Sequence, residues 1–133
     1  MVNSIGVVIT MNIKYYLFML EDLLIYKKYN DFIYYVYILL EKIPKYEKTS
    51  IGIDIRQIMI LNLELIIKMY KLKDYRLLID IDTNLLILQN LVRVLYKKKY
   101  INLKNYKSFS NKASELSKMV GGYYKKYKDK INK

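Results

Sequence analysis

Hydrophobic and polar positions alternate with a helical period in four successive blocks. In the first, Ile25, Tyr29, Phe32, Val36, Leu39 and Ile43 recur at steps of three and four, while Lys27, Lys28, Asp31 and Glu41 fall off that face. This spacing lays one apolar stripe along an α-helix. The second block runs from about Ser50 to Lys71. Its polar stripe is Asp54, Gln57, Glu64, Lys68 and Lys71, and nearly everything else in it is apolar, from Ile51 and Ile55 through Met59 and Leu65 to Ile66 and Met69. The third block reaches about Lys98 on a stripe of Leu77, Leu78, Ile81, Leu85, Leu88, Val92 and Leu95, with Asp80, Thr83, Asn84, Asn90, Arg93 and Lys97 on its wetter side. The fourth presents Tyr106, Phe109, Ala113, Leu116, Val120, Tyr124 and Tyr127, and its other sides carry Lys104, Lys107, Lys112, Lys118, Lys125 and Lys126.

The breaks between blocks are explicit. The stretch from Lys42 to Arg56 reads K-I-P-K-Y-E-K-T-S-I-G-I-D-I-R. Ile43 precedes Pro44 and is pushed out of the α region, and Pro44 cannot continue a helix, so the first helix ends near Lys42. Thr49 or Ser50 is placed to cap the second helix, Asp74 the third and Asn102 the fourth. Gly121-Gly122 interrupts the last pattern, at about 1 kcal/mol per glycine relative to alanine, and permits a bend or a close backbone approach. Four amphipathic helices on short connectors predict an all-α, up-down-up-down antiparallel four-helix bundle over residues 21–133, with the tail fraying past Lys128. Residues 1–20 show no clear periodicity and read as an N-terminal extension, with Met11 and Met19 both candidate translation starts. In this topology the first-to-second and third-to-fourth connectors share one end, which gathers Lys42, Lys45 and Lys48 with Lys97, Lys98 and Lys99.

The apolar arcs of the second and third helices are wider than one bundle core requires, and another subunit is the economical cover. The tyrosines of the first helix (Tyr26, Tyr29, Tyr34, Tyr35, Tyr37) read as core or interface before base-stacking groups, since they sit at helical spacing.

The residue inventory removes most chemistry. There is no Cys and no His, hence no disulfide, no thiolate and no imidazole base. Asp80 and Asp82 diverge on a helix, and Asp80 with Asn84 reads as a solvated pair, not a metal site. No phosphate-binding glycine loop is present, and no run is apolar enough to span a bilayer. The expectation is a non-enzymatic cytoplasmic protein without metal or cofactor.

Charge supplies the positive signal. The chain holds 24 Lys and Arg against 12 Asp and Glu, for a net +12. Twelve of the lysines lie between Lys97 and Lys133 against only Glu115 and Asp129, which concentrates +10 in that stretch. A field of this kind attracts nucleic acid or an anionic membrane surface, although Lys97-Lys98-Lys99 is also what a helix C-terminus favours. Contacts of this type are to phosphates and carry no sequence choice.

Several of these stretches resemble one family. K-I-P-K-Y-E-K is similar to the K-x-P-[KR]-x-x-[KR] connector of small four-helix-bundle proteins that include the ribosomal-RNA intervening-sequence proteins and the accessory variability determinants of diversity-generating retroelements. Gly52 and Arg56 match its G-x-x-x-R. V-R-V-L-Y-K-K-K-Y-I-N-L-K-N-Y resembles its third-to-fourth helix junction, and M-V-G-G-Y-Y-K-K its closing G-G-W segment. The resemblance runs from about Leu23 to Tyr127, and its last two features point to the retroelement branch. Ile43 stands where Phe is usual, Thr49 where an aromatic is common and Tyr123 where Trp is usual, and Lys often replaces Arg, which removes bidentate phosphate contacts. The resemblance implies a homo-oligomer, a pentameric barrel, that binds a reverse transcriptase and RNA or DNA during mutagenic copying and has no catalysis of its own. The candidate residues for nucleic acid on this reading are Lys42, Lys45, Lys48, Arg56, Arg93, Lys97, Lys98, Lys99, Lys125 and Lys126. Arg56 and Arg93 lie inside helices and read equally as structural ion-pair partners. The competing readings are an interaction bundle of the intervening-sequence type with no transcriptase partner, and a membrane-surface protein using its fourth helix.

Overall fold

The computed structural model describes residues 23–131, so the N-terminal extension lies outside the described residues. Five helices follow in order: α1 (Leu24–Glu41), α2 (Lys45–Lys48), α3 (Ile51–Leu72), α4 (Leu77–Lys97) and α5 (Leu103–Ile131). The single turn α2 lies within the first connector, and the four long helices form the expected all-α bundle. α3 packs on α1 and α4, and α5 packs on α4 and α1, which closes the ring.

Pro44 sets the first corner. The Lys42 N–H still reaches the Leu39 carbonyl at 3.0 Å, and Pro44 then opens α2, whose Glu47 and Lys48 N–H groups return to the Pro44 carbonyl. Of the three expected caps, only Asn102 behaves as one, its Oδ1 accepting from the Asn105 N–H at 2.8 Å. Ser50 occupies the cap position of α3 but donates its hydroxyl to the Glu47 carboxylate at 3.0 Å, and Thr49 donates to the Tyr46 carbonyl. Asp74 does not cap α4 either. Its carboxylate is held by Arg76 at 3.0 and 3.2 Å, and α4 begins three residues later at Leu77. In both cases a charged partner nearby, an acceptor for Ser50 and a donor for Asp74, takes the side chain away from the helix N–H groups.

At the far end of α4 the Tyr100 N–H bonds the Leu95 carbonyl at 3.0 Å and the Lys99 N–H bonds the Tyr96 carbonyl at 2.9 Å. This is a Schellman closure, and it needs a left-handed residue, here Lys99 at φ 65°.

The core is the one the periodicity marks. Ile25, Tyr29, Phe32, Val36 and Leu39 of α1 meet Ile55, Met59 and Ile66 of α3, Leu78, Ile81, Leu85, Leu88, Val92 and Leu95 of α4, and Phe109, Ala113, Leu116 and Val120 of α5. Phe32 sits between the rings of Tyr29 and Phe109, with centroids 5.8 and 5.3 Å away. Two polar side chains enter this core. Tyr29 donates its hydroxyl to the Met59 carbonyl at 2.7 Å, and burial raises its pKa well above the ordinary 10.0. Asn62, which in sequence only interrupts an apolar run, is wholly buried. Its amide donates to the Ile81 carbonyl and its oxygen accepts from Asn84, both at 3.2 Å. Asn84 therefore faces the α3–α4 seam and is not half of a solvated pair with Asp80. Asn62 fixes the register of α3 against α4, because a slip by one turn strands a buried amide.

α5 continues as helix through Ile131, past Lys128 where fraying is expected. Tyr127 stacks on Tyr75 with ring centroids 3.9 Å apart, and Lys130 lies over both rings, which ties the last turns to the α3–α4 corner. Gly121 and Gly122 are exposed within this helix, and a Cβ on either would meet nothing within 4 Å. The pair therefore does not serve a close approach. At Gly52 a Cβ would lie 3.2 Å from the Glu47 carbonyl oxygen, a fixed backbone atom.

Gly121→Ala and Gly122→Ala are each expected to raise stability by about 1 kcal/mol in denaturant unfolding, and Gly52→Ala to gain none of it. Asn62→Ala removes both seam hydrogen bonds and leaves a void, and is expected to cost about 2 kcal/mol by the same measurement.

Candidate nucleic-acid interface

Two of the three corners fall at one end of the bundle, as the connectivity requires. There Glu47 of α2 is almost completely buried. One carboxylate oxygen accepts from Lys98 Nζ at 3.0 Å and the other from Ser50 at 3.0 Å. Those hydrogen bonds, Lys98 first, hold the Glu47 carboxyl below its ordinary pKa of 4.5. Beside the pair, the hydroxyls of Tyr46 and Tyr100 lie 3.2 Å apart, and that contact, with partial burial and Glu47, raises the Tyr100 pKa well above 10.0. Arg56 reaches back over Gly52 to donate to the Lys48 carbonyl at 3.2 Å, and its guanidinium lies 6.0 Å from the Tyr37 ring centroid. The G-x-x-x-R spacing thus places both residues against the carbonyl end of α2, the glycine beside the Glu47 carbonyl and the arginine on that of Lys48.

This geometry sorts the residues marked from sequence. Lys42, Lys97 and Lys99 come together around a groove of about 630 Å³ that Tyr96, Tyr100, Ile101, Asn102 and Asn105 complete. None of the three lysines is ion-paired among the described residues. Lys98, between two of them in sequence, is taken by Glu47. Lys45 is exposed on α2, and Lys48 is half-buried with its carbonyl occupied by Arg56. Arg93 is exposed one turn before Lys97. Lys125 and Lys126 do not join this cluster. They lie 22 and 23 residues beyond Leu103, roughly 33 Å along α5 at about 1.5 Å per residue. The Lys126 ammonium lies 5.2 Å from the Tyr127 ring centroid.

A second basic surface runs down α5. Its buried positions are Phe109, Ala113, Leu116 and Val120, so helical phase turns Lys104, Lys107, Lys118 and Lys125 straight outward. All four are exposed and aligned over 21 residues, roughly 32 Å. Reading from charge runs alone misses Lys104, Lys107 and Lys118 because they are dispersed in sequence; a helical projection of α5 shows them.

A third surface is apolar. Ile53, Ile60 and Leu61 on α3, and Ile79, Leu86, Ile87 and Val94 on α4, are all exposed. They are the excess of the broad arcs noted in the sequence. Among the described residues no group of acidic side chains could hold a metal ion, and no helix is long and apolar enough to cross a membrane.

The bAvd-like family model, that of the Bordetella accessory variability determinant, matches residues 23–127. The chain belongs to the bAvd-like family. The match begins and ends where the described bundle does, within a few residues, and it includes Pro44, Gly52, Arg56 and the Gly121-Gly122 pair. This is a family of diversity-generating retroelement accessory proteins, not a catalytic family. No curated protein and no solved structure matches the chain.

Glu47 gives a pH test of the connector end. A carboxyl whose pKa is depressed on folding contributes stability above its ordinary pKa of 4.5 and loses it as pH falls through the lower folded value. Glu47→Gln is therefore expected to melt lower than the parent chain at pH 7, with the difference closing below about pH 4.5 as both are followed by circular dichroism.

Proposed function

We propose that this bAvd-like chain is a non-enzymatic accessory subunit of a diversity-generating retroelement, a basic homo-oligomer that binds a reverse transcriptase and the RNA or cDNA being copied. The observation that carries the nucleic-acid part is the outward row Lys104, Lys107, Lys118 and Lys125 on α5. None of these four ammonium groups is ion-paired among the described residues, although each is free to reach a carboxylate in a chain with 12 acids. A straight row of cations over roughly 32 Å suits a polyphosphate backbone, with affinity that is electrostatic and independent of sequence. Assembly is supported by the exposed apolar side chains of α3 and α4. Ile60 and Leu86 are 59% and 53% exposed, an unfavourable arrangement for an isolated bundle that a second copy relieves. The two surfaces occupy different helices, so assembly through α3 and α4 leaves α5 available.

Binding to a structured RNA and to a DNA duplex, followed by fluorescence anisotropy at two salt concentrations, tests the first part. The expected result is affinity that falls steeply with salt. For the duplex, the salt slope is expected to decrease by about 0.9 for each phosphate that is no longer neutralised when Lys107, Lys118 and Lys125 become Gln. No binding at low salt overturns the nucleic-acid reading. For assembly, light scattering is expected to give a mass several times 16.1 kDa, and a fall toward a single chain in the double variant Leu86→Glu, Ile87→Glu.

A further inference from the structure

The groove at the connector end differs in kind from the row on α5. The row is a line of exposed ammonium groups along one helix, with Glu115, paired to Lys28, at its side. The groove, about 630 Å³, is lined by three lysines (Lys42, Lys97, Lys99) together with Tyr96, one face of whose ring is stacked on Tyr106 at 4.7 Å, and Tyr100. That volume lies in the range of small-ligand pockets, roughly 300–1,000 Å³. One of its members is also held against local preference. Lys99 adopts φ 65°, the left-handed region that glycine occupies without strain and that lysine adopts at a cost, at the position of a Schellman closure where glycine is the usual residue. Lys98, the neighbour that stabilises the corner, is turned the other way onto Glu47, which leaves Lys97 and Lys99 pointing to a common space with Lys42.

We propose that this groove seats one unpaired nucleotide of a single strand, its phosphate on Lys42, Lys97 and Lys99 and its base against the Tyr96–Tyr100 side. The assignment rests on the nucleic-acid reading above and adds a preference to it. Cations alone accept any phosphate, but an aromatic wall inside a concavity is reached only by a base that has left its stack. A duplex keeps its bases inside and meets the protein with its backbone, which the α5 row suits and the groove does not. The side-chain amide of Asn105, unengaged among the described residues, lines the same groove and offers a donor and an acceptor to a base edge.

The test uses the full chain and a short oligonucleotide carrying 2-aminopurine, single-stranded and as a duplex. The parent chain is expected to bind the single strand with quenching of the 2-aminopurine. Combining Lys42→Gln, Lys97→Gln and Lys99→Gly is expected to weaken single-strand binding at least ten-fold and duplex binding less than three-fold. Lys107→Gln with Lys118→Gln is expected to weaken both to a similar extent. Lys99→Gly alone separates function from folding, since glycine fits the left-handed position: it is expected to melt no lower than the parent while binding the single strand more weakly. Tyr100→Leu is expected to reduce the quench. Loss of single-strand and duplex binding in equal measure in the groove variant, or binding without quenching, overturns the groove assignment and leaves the nucleic-acid reading standing. Failure of the parent chain to bind either form at low salt overturns both.

Discussion

Glu47 is the joint on which the connector end depends. Its carboxylate is shared by Ser50 at the start of α3 and Lys98 at the end of α4, so one side chain links three helices that are 51 residues apart at their extremes. The carboxylate is nearly buried, in contrast to those of the Lys28–Glu115 and Lys68–Glu64 pairs, while the Lys98 side chain stays about half exposed. Much else follows from this contact. At Gly52 a Cβ would crowd the Glu47 carbonyl oxygen at 3.2 Å. Arg56 closes the neighbouring Lys48 carbonyl. Lys98 is engaged by Glu47, and its two neighbours line a groove with Lys42.

The bundle divides its surface by helix. α3 and α4 expose apolar side chains, and α5 exposes lysines. Such a division keeps two partners apart: a helix pair suited to protein contact, and a helix suited to a polyanion. It also explains why the composition is at once 53% hydrophobic and strongly cationic, since the excess of each lies on separate faces instead of being mixed.

Most of the fold was legible in the sequence because the core is built from a helical repeat, and periodicity survives without knowledge of contacts. Pro44 and Asn102 carried their own local physics and ended or began helices where expected. What could not be read were contests between partners. Ser50 and Asp74 are good capping residues, but Glu47 and Arg76, each within three residues, offer an ionic partner that a cap does not. Asn62 interrupts an apolar run in sequence, and only its partner Asn84, 22 residues on, shows it to be part of the core. The run Lys97-Lys98-Lys99 reads as three equivalent charges; the left-handed turn at Lys99 and the distant Glu47 make them unequal. The lysines of α5 were legible as lying off its core stripe, but of the row only Lys125 was singled out for nucleic acid, because Lys104, Lys107 and Lys118 are dispersed along the chain.

The exposed glycine pair gives α5 an uneven internal cohesion. On the N-terminal side of Gly121 the helix is clamped by Phe109, Ala113, Leu116 and Val120, so its amides are released only when the whole bundle opens. At Gly121 and Gly122 the backbone gains more freedom on opening than any other residue would give it, and beyond them Tyr123 and Tyr124 pack against the core while Tyr127 stacks on Tyr75 under Lys130. The glycine pair therefore lowers the cohesion of the last turns within a helix that is otherwise continuous. In solvent deuterium the amides beyond Gly122, on the turns that carry Lys125, Lys126, Lys128 and Lys130, are expected to exchange faster than those between Phe109 and Val120.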